Sequence, residues 1–138
     1  MSDYDLGRNG IAYYDVDSAN YQQSSGYFQA WNSGWVYRND GVDIEKNTDN
    51  INSNGFHIGF INRGEWLNYT RTFPAGDYRV YLRQAQFTIA SAISTLELVT
   101  SATDEEEQTT EIIGTFLGSD SVVQYRNVAL TNDSGDQL

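Results

Sequence analysis

Large and polar side chains alternate with a period of two through the middle of the chain. In Glu65–Arg71, Trp66 and Thr70 fall on one side, and Leu67 and Tyr69 fall on the other. This is the pattern of a β-strand, in which successive side chains point to opposite faces. Both sides carry large residues, which favours a strand inside a two-layer stack. We therefore assign Trp66 and Tyr69 to the core.

A second alternating run lies just before this one and contains Phe56, Ile58 and Phe60. The break between the two runs, Asn62–Gly64, is short and ends in glycine, which is typical of a tight reversal. The pattern therefore predicts an aromatic-rich β-hairpin over residues 55–71, around which the rest of the chain is organised.

Short β-favouring runs separated by Gly, Asn, Asp and Ser make up the rest of the chain, and helical periodicity is nearly absent. The clearest run is Tyr78–Arg83, and Pro74 before it marks a connection because proline cannot occupy a central strand. Further strands are predicted at 11–16, 42–45, 94–100, 110–116 and 122–130, with the acidic turn Asp104–Glu107 between the strands at 94–100 and 110–116. The turn-rich end, 131–138, is expected to lead into another strand. About eight short strands predict an all-β protein built as a β-sandwich.

Length and charge restrict the possible classes of protein. A chain of 138 residues is expected to form one domain, 1–138, and no run approaches the ~18 apolar residues of a membrane span. Met1 opens no signal-peptide pattern, which indicates a cut boundary. The net charge of −11 argues against nucleic acid and anionic membranes as partners, because both require a field of Lys and Arg. The simplest role of the acidity is solubility, and the absence of Cys excludes disulfides and Cys-ligated metals.

The candidates for catalysis and metal binding are weak. His57, the only His, alternates with apolar residues in a predicted strand, where a packing role is more common than a catalytic one. Nucleophile elbows, phosphate-binding loops and zinc motifs are absent, so no catalytic residue is assigned. Structural calcium is an open alternative, because four hard oxygen ligands lie close in sequence: Asp40, Asp43, Asn47 and Asp49. These residue types also serve turns for backbone reasons, and their spacing is not that of an EF-hand.

The aromatic residues are the sharper signal. The chain has 10 Tyr, 6 Phe and 3 Trp, and several lie in Ser18–Trp35, which we interpret as a long polar loop. Sugars present C–H groups to a flat ring and hydroxyls to Asn, Gln, Asp and Arg. Each stacked ring removes ~80–100 Å² of apolar area from water, which contributes about 2 kcal/mol. The alternative is that Tyr27, Phe28, Trp31 and Trp35 form a satellite cluster that pins the loop.

Four segments in register resemble family 6 carbohydrate-binding modules: YDLGRNGIAYYD (Tyr4–Asp15), YRNDGVDIE (Tyr37–Glu45), Gly55–Thr70 with its GEWLNYT, and PAGDY (Pro74–Tyr78). The resemblance covers most of the chain, and YRNDGVDIE is similar to the version on agarases and related marine enzymes. It implies a β-sandwich of the jelly-roll type and a non-catalytic role beside a secreted bacterial glycoside hydrolase, and hence a secreted or cell-surface location.

The family's site places a sugar between a Tyr, a late Trp and a C-terminal Asn. By this resemblance, the family's Tyr corresponds to Tyr37. The position of its Trp corresponds to Val122, whose side chain cannot stack on a sugar, and the position of its Asn would lie beyond Leu138. The acidic residues of the family's structural calcium would precede Met1. The domain is therefore expected to lack its first and last strands, which leaves edges that invite pairing with another chain.

The second stacking ring must then come from elsewhere in the chain. We expect Tyr37 and Trp35 to stack on the sugar, Trp31 to support them, and Arg38 or Asp40 to bind hydroxyls. The partners would be a polysaccharide or oligosaccharide and a catalytic domain of the parent chain. Two alternatives stay open: a β-sandwich for adhesion or assembly that binds no sugar, and a small glycan-cleaving enzyme.

Overall fold

The structure, a computed structural model, describes residues 2–16, 38, 40, 42–47, 49, 53–86, 92–118 and 124–138. Strands, turns and loops make up this part of the chain, and no helix occurs in it. It accordingly contains no helix long and apolar enough to cross a membrane. The prediction of an all-β fold is confirmed.

The described residues contain eight strands at the positions where alternation predicted them, most of them shorter than predicted. They are β1 (Tyr13–Tyr14), β2 (Ile44–Lys46), β3 (Phe56–Ile58), β4 (Trp66–Leu67), β5 (Tyr81–Gln84), β6 (Ala92–Val99), β7 (Thr110–Gly118) and β8 (Arg126–Thr131). Every pairing between them is antiparallel. The acidic turn Asp104–Glu107 falls between β6 and β7, as predicted.

The described chain forms two compact units, Met1–Thr72 with Thr103–Glu107, and Phe73–Ala102 with Gln108–Leu138. In the first unit β1 pairs with β4, and β2 pairs with β3. Among its described residues, the buried core consists of Tyr4, Ala12, Tyr13, Val42 and Ile44; the partly buried Phe56, Ile58 and Leu67 pack against them. The single domain over 1–138 stays a prediction.

The predicted hairpin over 55–71 is wrong, although its turn is present. Gly64 has a φ of 94°, and the Glu65 N–H donates to the Asn62 carbonyl at 3.3 Å. The strands on either side of this turn pair elsewhere, β3 with β2 and β4 with β1. Phe60, the second residue after β3, has a φ of 48°, so the chain leaves the strand direction before the turn. Alternation identifies strands and their two faces but does not identify their partners.

The assignment of Trp66 and Tyr69 to the core is wrong. Leu67 lies opposite Tyr13 in the β1–β4 ladder and packs on the core. Trp66 lies opposite Tyr14, on the other face, and is half-buried. Tyr69 is 43% exposed and is not a core residue. The core therefore lies on the Leu67 side of this strand.

The second unit is built on a four-stranded sheet in the order β5-β8-β7-β6. Phe116 and Leu130 are buried side by side at the β7–β8 pairing. The chain reverses after β8 and returns along it, so that the Leu138 N–H donates to the Leu130 carbonyl at 3.0 Å. Gln137 forms a bridge to Thr131. The turn-rich end thus leads into a short pairing, as the sequence suggested.

Candidate functional site

Two of the five predicted sugar-binding residues are described. Tyr37, Trp35 and Trp31 lie outside the described residues, and their role stays a prediction. Arg38 and Asp40 both belong to the first unit, in the segment that leads into β2. Their contacts define what the described part of the predicted site can do.

Arg38 lies over the face of a buried tyrosine. Its Cζ is 3.9 Å from the centroid of the Tyr4 ring, and Tyr4 is only 1% exposed. A guanidinium over a phenol contributes about 0.5–2 kcal/mol through the ring quadrupole. Tyr4 also meets Tyr13 edge to face, with ring centroids 5.6 Å apart. Arg38 is therefore attached to the core of the unit.

Asp40 accepts hydrogen bonds from both core phenols. The Tyr4 hydroxyl donates to its Oδ2 at 2.6 Å, and the Tyr13 hydroxyl donates to its backbone carbonyl at 2.8 Å. The Val42 N–H makes a longer bond to Oδ1, at 3.4 Å. Because a carboxylate can accept about four hydrogen bonds, the half-buried Asp40 side chain has acceptor capacity beyond these contacts. Its chemistry suits a ligand that donates hydroxyl groups.

Burial raises the pKa of three phenols of this unit. The pKa of Tyr4 is raised, first by burial and then by the hydrogen bond to Asp40, against a smaller lowering by Arg38. The pKa of Tyr13 is raised by burial and by Asp40 and Asp15. Partial burial of the half-exposed Tyr69 also raises its pKa, although Arg38 and Arg71 oppose the rise. These groups are hydroxyl donors at neutral pH.

The segment after β4 is fixed by one carboxylate. Asp5 accepts the Thr70 N–H at 2.8 Å on Oδ1 and the Thr70 hydroxyl at 2.6 Å on Oδ2. Its own N–H donates to the Asn68 carbonyl at 2.8 Å. The Arg71 Nη1 lies 3.5 Å from the Asp5 Oδ1, and the Arg71 Nη2 donates a hydrogen bond to the Asp3 carbonyl. Tyr69, between these anchors, is held at the surface.

Two of the four candidate calcium ligands, Asp40 and Asn47, make hydrogen bonds within the first unit. Both oxygens of Asp40 accept bonds from within the unit, and the Asn47 Oδ1 accepts the Asp49 N–H and the Ser53 hydroxyl, both at 3.0 Å. Asn47 thus closes a turn, which is the ordinary use of this residue. Across the described ranges, no three His, Asp or Glu side chains come together in a group that could hold a metal ion.

The second unit presents a polar and aromatic surface that sequence reasoning missed. It consists of Tyr81, Arg83, Tyr125, Asn127 and Gln137, and we call it the β5–β8 face. Register places Tyr81 opposite Ala129 and Arg83 opposite Asn127, so the alternating residues share one side of the sheet. Tyr81 is 48% exposed. A half-exposed ring beside an amide and a guanidinium is a combination that can stack on a sugar and bind its hydroxyls.

Hydrogen bonds order this face before any ligand arrives. The Gln137 amide donates to the Tyr81 hydroxyl at 2.9 Å, and Arg83 donates to the Asn127 Oδ1 at 3.2 Å. The Arg83 Cζ lies 6.0 Å from the centroid of the Tyr125 ring. The alternation in Tyr78–Arg83 predicted a strand here, but it gave no indication of which of its sides stays exposed.

Comparison of the chain with protein-family models, curated proteins and solved structures finds no match.

Proposed function

We propose that this chain is a non-catalytic carbohydrate-binding module of the family 6 type, folded as a β-sandwich, that holds a glycoside hydrolase on its polysaccharide. The observation that supports it most directly is the anchoring of Arg38 and Asp40. Both follow Tyr37 closely in sequence, and both are tied to Tyr4 in the core. Groups fixed in this way lose little side-chain entropy when they bind a ligand.

The chemistry of the first unit suits neutral sugars. A carboxylate accepts hydroxyl protons, a guanidinium donates to ring and hydroxyl oxygens, and Tyr37 with Trp35 would provide flat rings for stacking, supported by Trp31. One or two stacked rings with a few hydrogen bonds reach a Kd of about 10⁻³–10⁻⁵ M after the cost of association. A weak module is sufficient, because tethering raises the local concentration of the attached enzyme at the polymer.

The β5–β8 face is a second surface with matching chemistry. Its exposed Tyr81 ring is flanked by Gln137, and Arg83 with Asn127 lies one alternate position further along the sheet. Such a face suits a chain of sugar units laid across the strands. The proposal therefore has two locations to test, and a secreted polysaccharide-degrading system is the setting in which either would act.

Affinity electrophoresis and calorimetry against agarose, xylan and β-glucan test the proposal. We expect saturable binding of at least one polymer, weakened about tenfold or more, a loss of roughly 1.4 kcal/mol, by Trp31→Ala, Trp35→Ala or Tyr37→Ala. Tyr81→Ala tests the β5–β8 face separately. Tyr14→Ala is the matched control, because Tyr14 is 40% exposed and has no assigned role.

Three results would contradict the proposal. Absence of binding to every polymer tested would favour the adhesion or assembly alternative. Release of reducing ends by the isolated chain would favour the glycan-cleaving enzyme. Unchanged binding in the Trp31, Trp35, Tyr37 and Tyr81 variants would place the sugar on a different surface.

A further inference from the structure

The strand β6 lies at one end of the four-stranded sheet, where β7 is its one neighbour among the described strands. The Thr100 N–H donates to the Thr109 carbonyl at 2.8 Å, so Thr100 directs its backbone groups toward the β7 side. The direction of the backbone N–H and C=O groups alternates from one residue to the next along a strand. The N–H and C=O groups of Ile93, Thr95, Glu97 and Val99 therefore point away from β7.

Side chains on β6 are exposed to an unusual degree for a strand of eight residues. Ile93 is 65% exposed and Leu98 is 54% exposed. Natural sheets protect an edge with Lys, Pro or a short strand, but β6 has no Pro or Lys, and Glu97 is its one charged residue. An exposed edge of this kind is suited to pairing with another strand.

Leu96 is the midpoint of the four β6 residues whose backbone groups point outward. Ile93 and Val99 lie three positions either side of it, and Thr95 and Glu97 lie one position either side. Antiparallel pairing of two copies centred on Leu96 sets Ile93 against Val99 and Thr95 against Glu97. Each pair joins residues whose backbone groups point outward, so each can exchange both hydrogen bonds.

Other registers fit less well. If the two-fold axis passed through Glu97, the two Glu97 carboxylates would lie directly opposite each other, which is destabilising. A centre at Thr95 sets Ile93 against Glu97. If the axis passed between two residues, each residue with outward backbone groups would face one with inward backbone groups, and the backbone hydrogen bonds between the strands could not form. Only the register centred on Leu96 gives all four outward-directed residues a hydrogen-bonding partner within β6.

We propose that two copies of this chain associate edge to edge through β6, antiparallel and two-fold symmetric about Leu96, joining their sheets into one. The inference is independent of sugar binding. The contact makes about eight backbone hydrogen bonds but is smaller than the roughly 1,200–2,000 Å² of a stable interface. Each copy also carries a net charge of −11. The dimer is therefore weak, and it strengthens as salt screens the repulsion.

A single introduced cysteine tests the register, because the chain has no Cys of its own. Facing Leu96 residues form a non-hydrogen-bonded pair with Cα atoms about 4.5 Å apart, within disulfide range. Leu96→Cys should therefore give a covalent dimer in excess glutathione disulfide. Leu98→Cys is the matched control, because it is more exposed but lies about 14 Å from its symmetry mate. Equal cross-linking of the two variants, or none by Leu96→Cys, would overturn the register.

Sedimentation velocity of the unmodified chain tests the association itself. We expect a dimer that grows with protein concentration and with salt. Thr95→Pro removes an outward N–H without touching the β7 side, and should raise the dimer Kd at least about tenfold, whereas Thr95→Ala keeps the N–H and should change it less. Far-ultraviolet circular dichroism checks that both variants keep the fold. A monomer at every protein concentration and salt level, or a dimer Kd that Thr95→Pro leaves unchanged, would refute the proposal.

Discussion

The hydroxyl of Tyr4 donates a 2.6 Å hydrogen bond to the Oδ2 of Asp40, across 36 residues of chain. Tyr4 is 1% exposed, so the bond lies at the edge of the buried core and not on a solvated surface. The same aspartate accepts the Tyr13 hydroxyl on its backbone carbonyl. The contact thus links the amino-terminal segment, β1 and the segment before β2 in the first unit.

Removal of the Asp40 carboxylate should destabilise the first unit. Asp40→Ala leaves the buried Tyr4 hydroxyl without its acceptor, which costs about 1–3 kcal/mol of unfolding free energy. Urea denaturation followed by fluorescence and circular dichroism measures the loss. Asp104→Ala, which removes an exposed aspartate of the acidic turn, is the control and should change stability by less than about 0.5 kcal/mol. Equal stability of the two variants would show that the Tyr4 bond contributes little.

High pH should destabilise the first unit through its tyrosines. The pKa values of the core residues Tyr4 and Tyr13 are both raised, mainly by burial. The unfolded chain therefore releases these protons first, at its ordinary phenol pKa of about 10. Their stabilisation is fully present below about pH 10 and is lost as the pH rises above it. Unfolding free energies across this range, with tyrosinate absorbance in parallel, measure the loss.

Tyr4→Phe isolates one contribution to this pH dependence. Phenylalanine cannot ionise, so the variant's stability should fall less steeply above about pH 10 than that of the parent chain. At neutral pH it loses the bond to Asp40 and should be less stable by about 1 kcal/mol. Identical slopes in the two proteins would show that Tyr4 ionises equally easily in both states.

Asp5 and Arg71 should differ in importance although they form an ion pair. The pair is 3.5 Å long and half-exposed on the arginine side, and such pairs contribute about 0–1 kcal/mol. Asp5 also accepts the Thr70 N–H and hydroxyl. Asp5→Ala should therefore cost about 1–2 kcal/mol, clearly more than Arg71→Ala. Thermal unfolding of both variants ranks them, and the reverse order would make the ion pair the dominant contact.

Strand positions could be predicted from the sequence because each depends on local alternation and on Gly, Pro and Asn at the ends. Strand partners could not. The short turn at Asn62–Gly64 suggested that its flanking runs pair, yet β3 pairs with the preceding strand β2, and β4 pairs with the distant strand β1. The left-handed backbone at Phe60 separates them, and a phenylalanine gives no warning of that conformation.

The candidate site was predictable to the same degree. Arg38 and Asp40 could be singled out beside Tyr37, but their convergence on Tyr4 depends on a contact spanning 36 residues. The β5–β8 face was not predicted, because alternation does not show which side of a strand remains uncovered. Its Gln137 also reaches Tyr81 only after the chain reverses beyond β8.

Gly114 in β7 should tolerate a side chain poorly. A Cβ at this position would lie 2.7 Å from the Thr131 carbonyl oxygen and 2.9 Å from the Leu130 Cγ. The carbonyl belongs to the β7–β8 pairing and cannot move without breaking it. Gly114→Ala should therefore cost about 1–3 kcal/mol, as overpacking of a tight site does.

Gly76→Ala is the control for this substitution. A Cβ there meets nothing within 4 Å, so the change should be neutral or stabilising by up to about 1 kcal/mol, because it restricts the unfolded chain. Thermal and urea unfolding of both variants measure the difference. If Gly114→Ala were as stable as Gly76→Ala, β7 and β8 would have to separate freely at this point, and the close approach of the two strands would not be required by the fold.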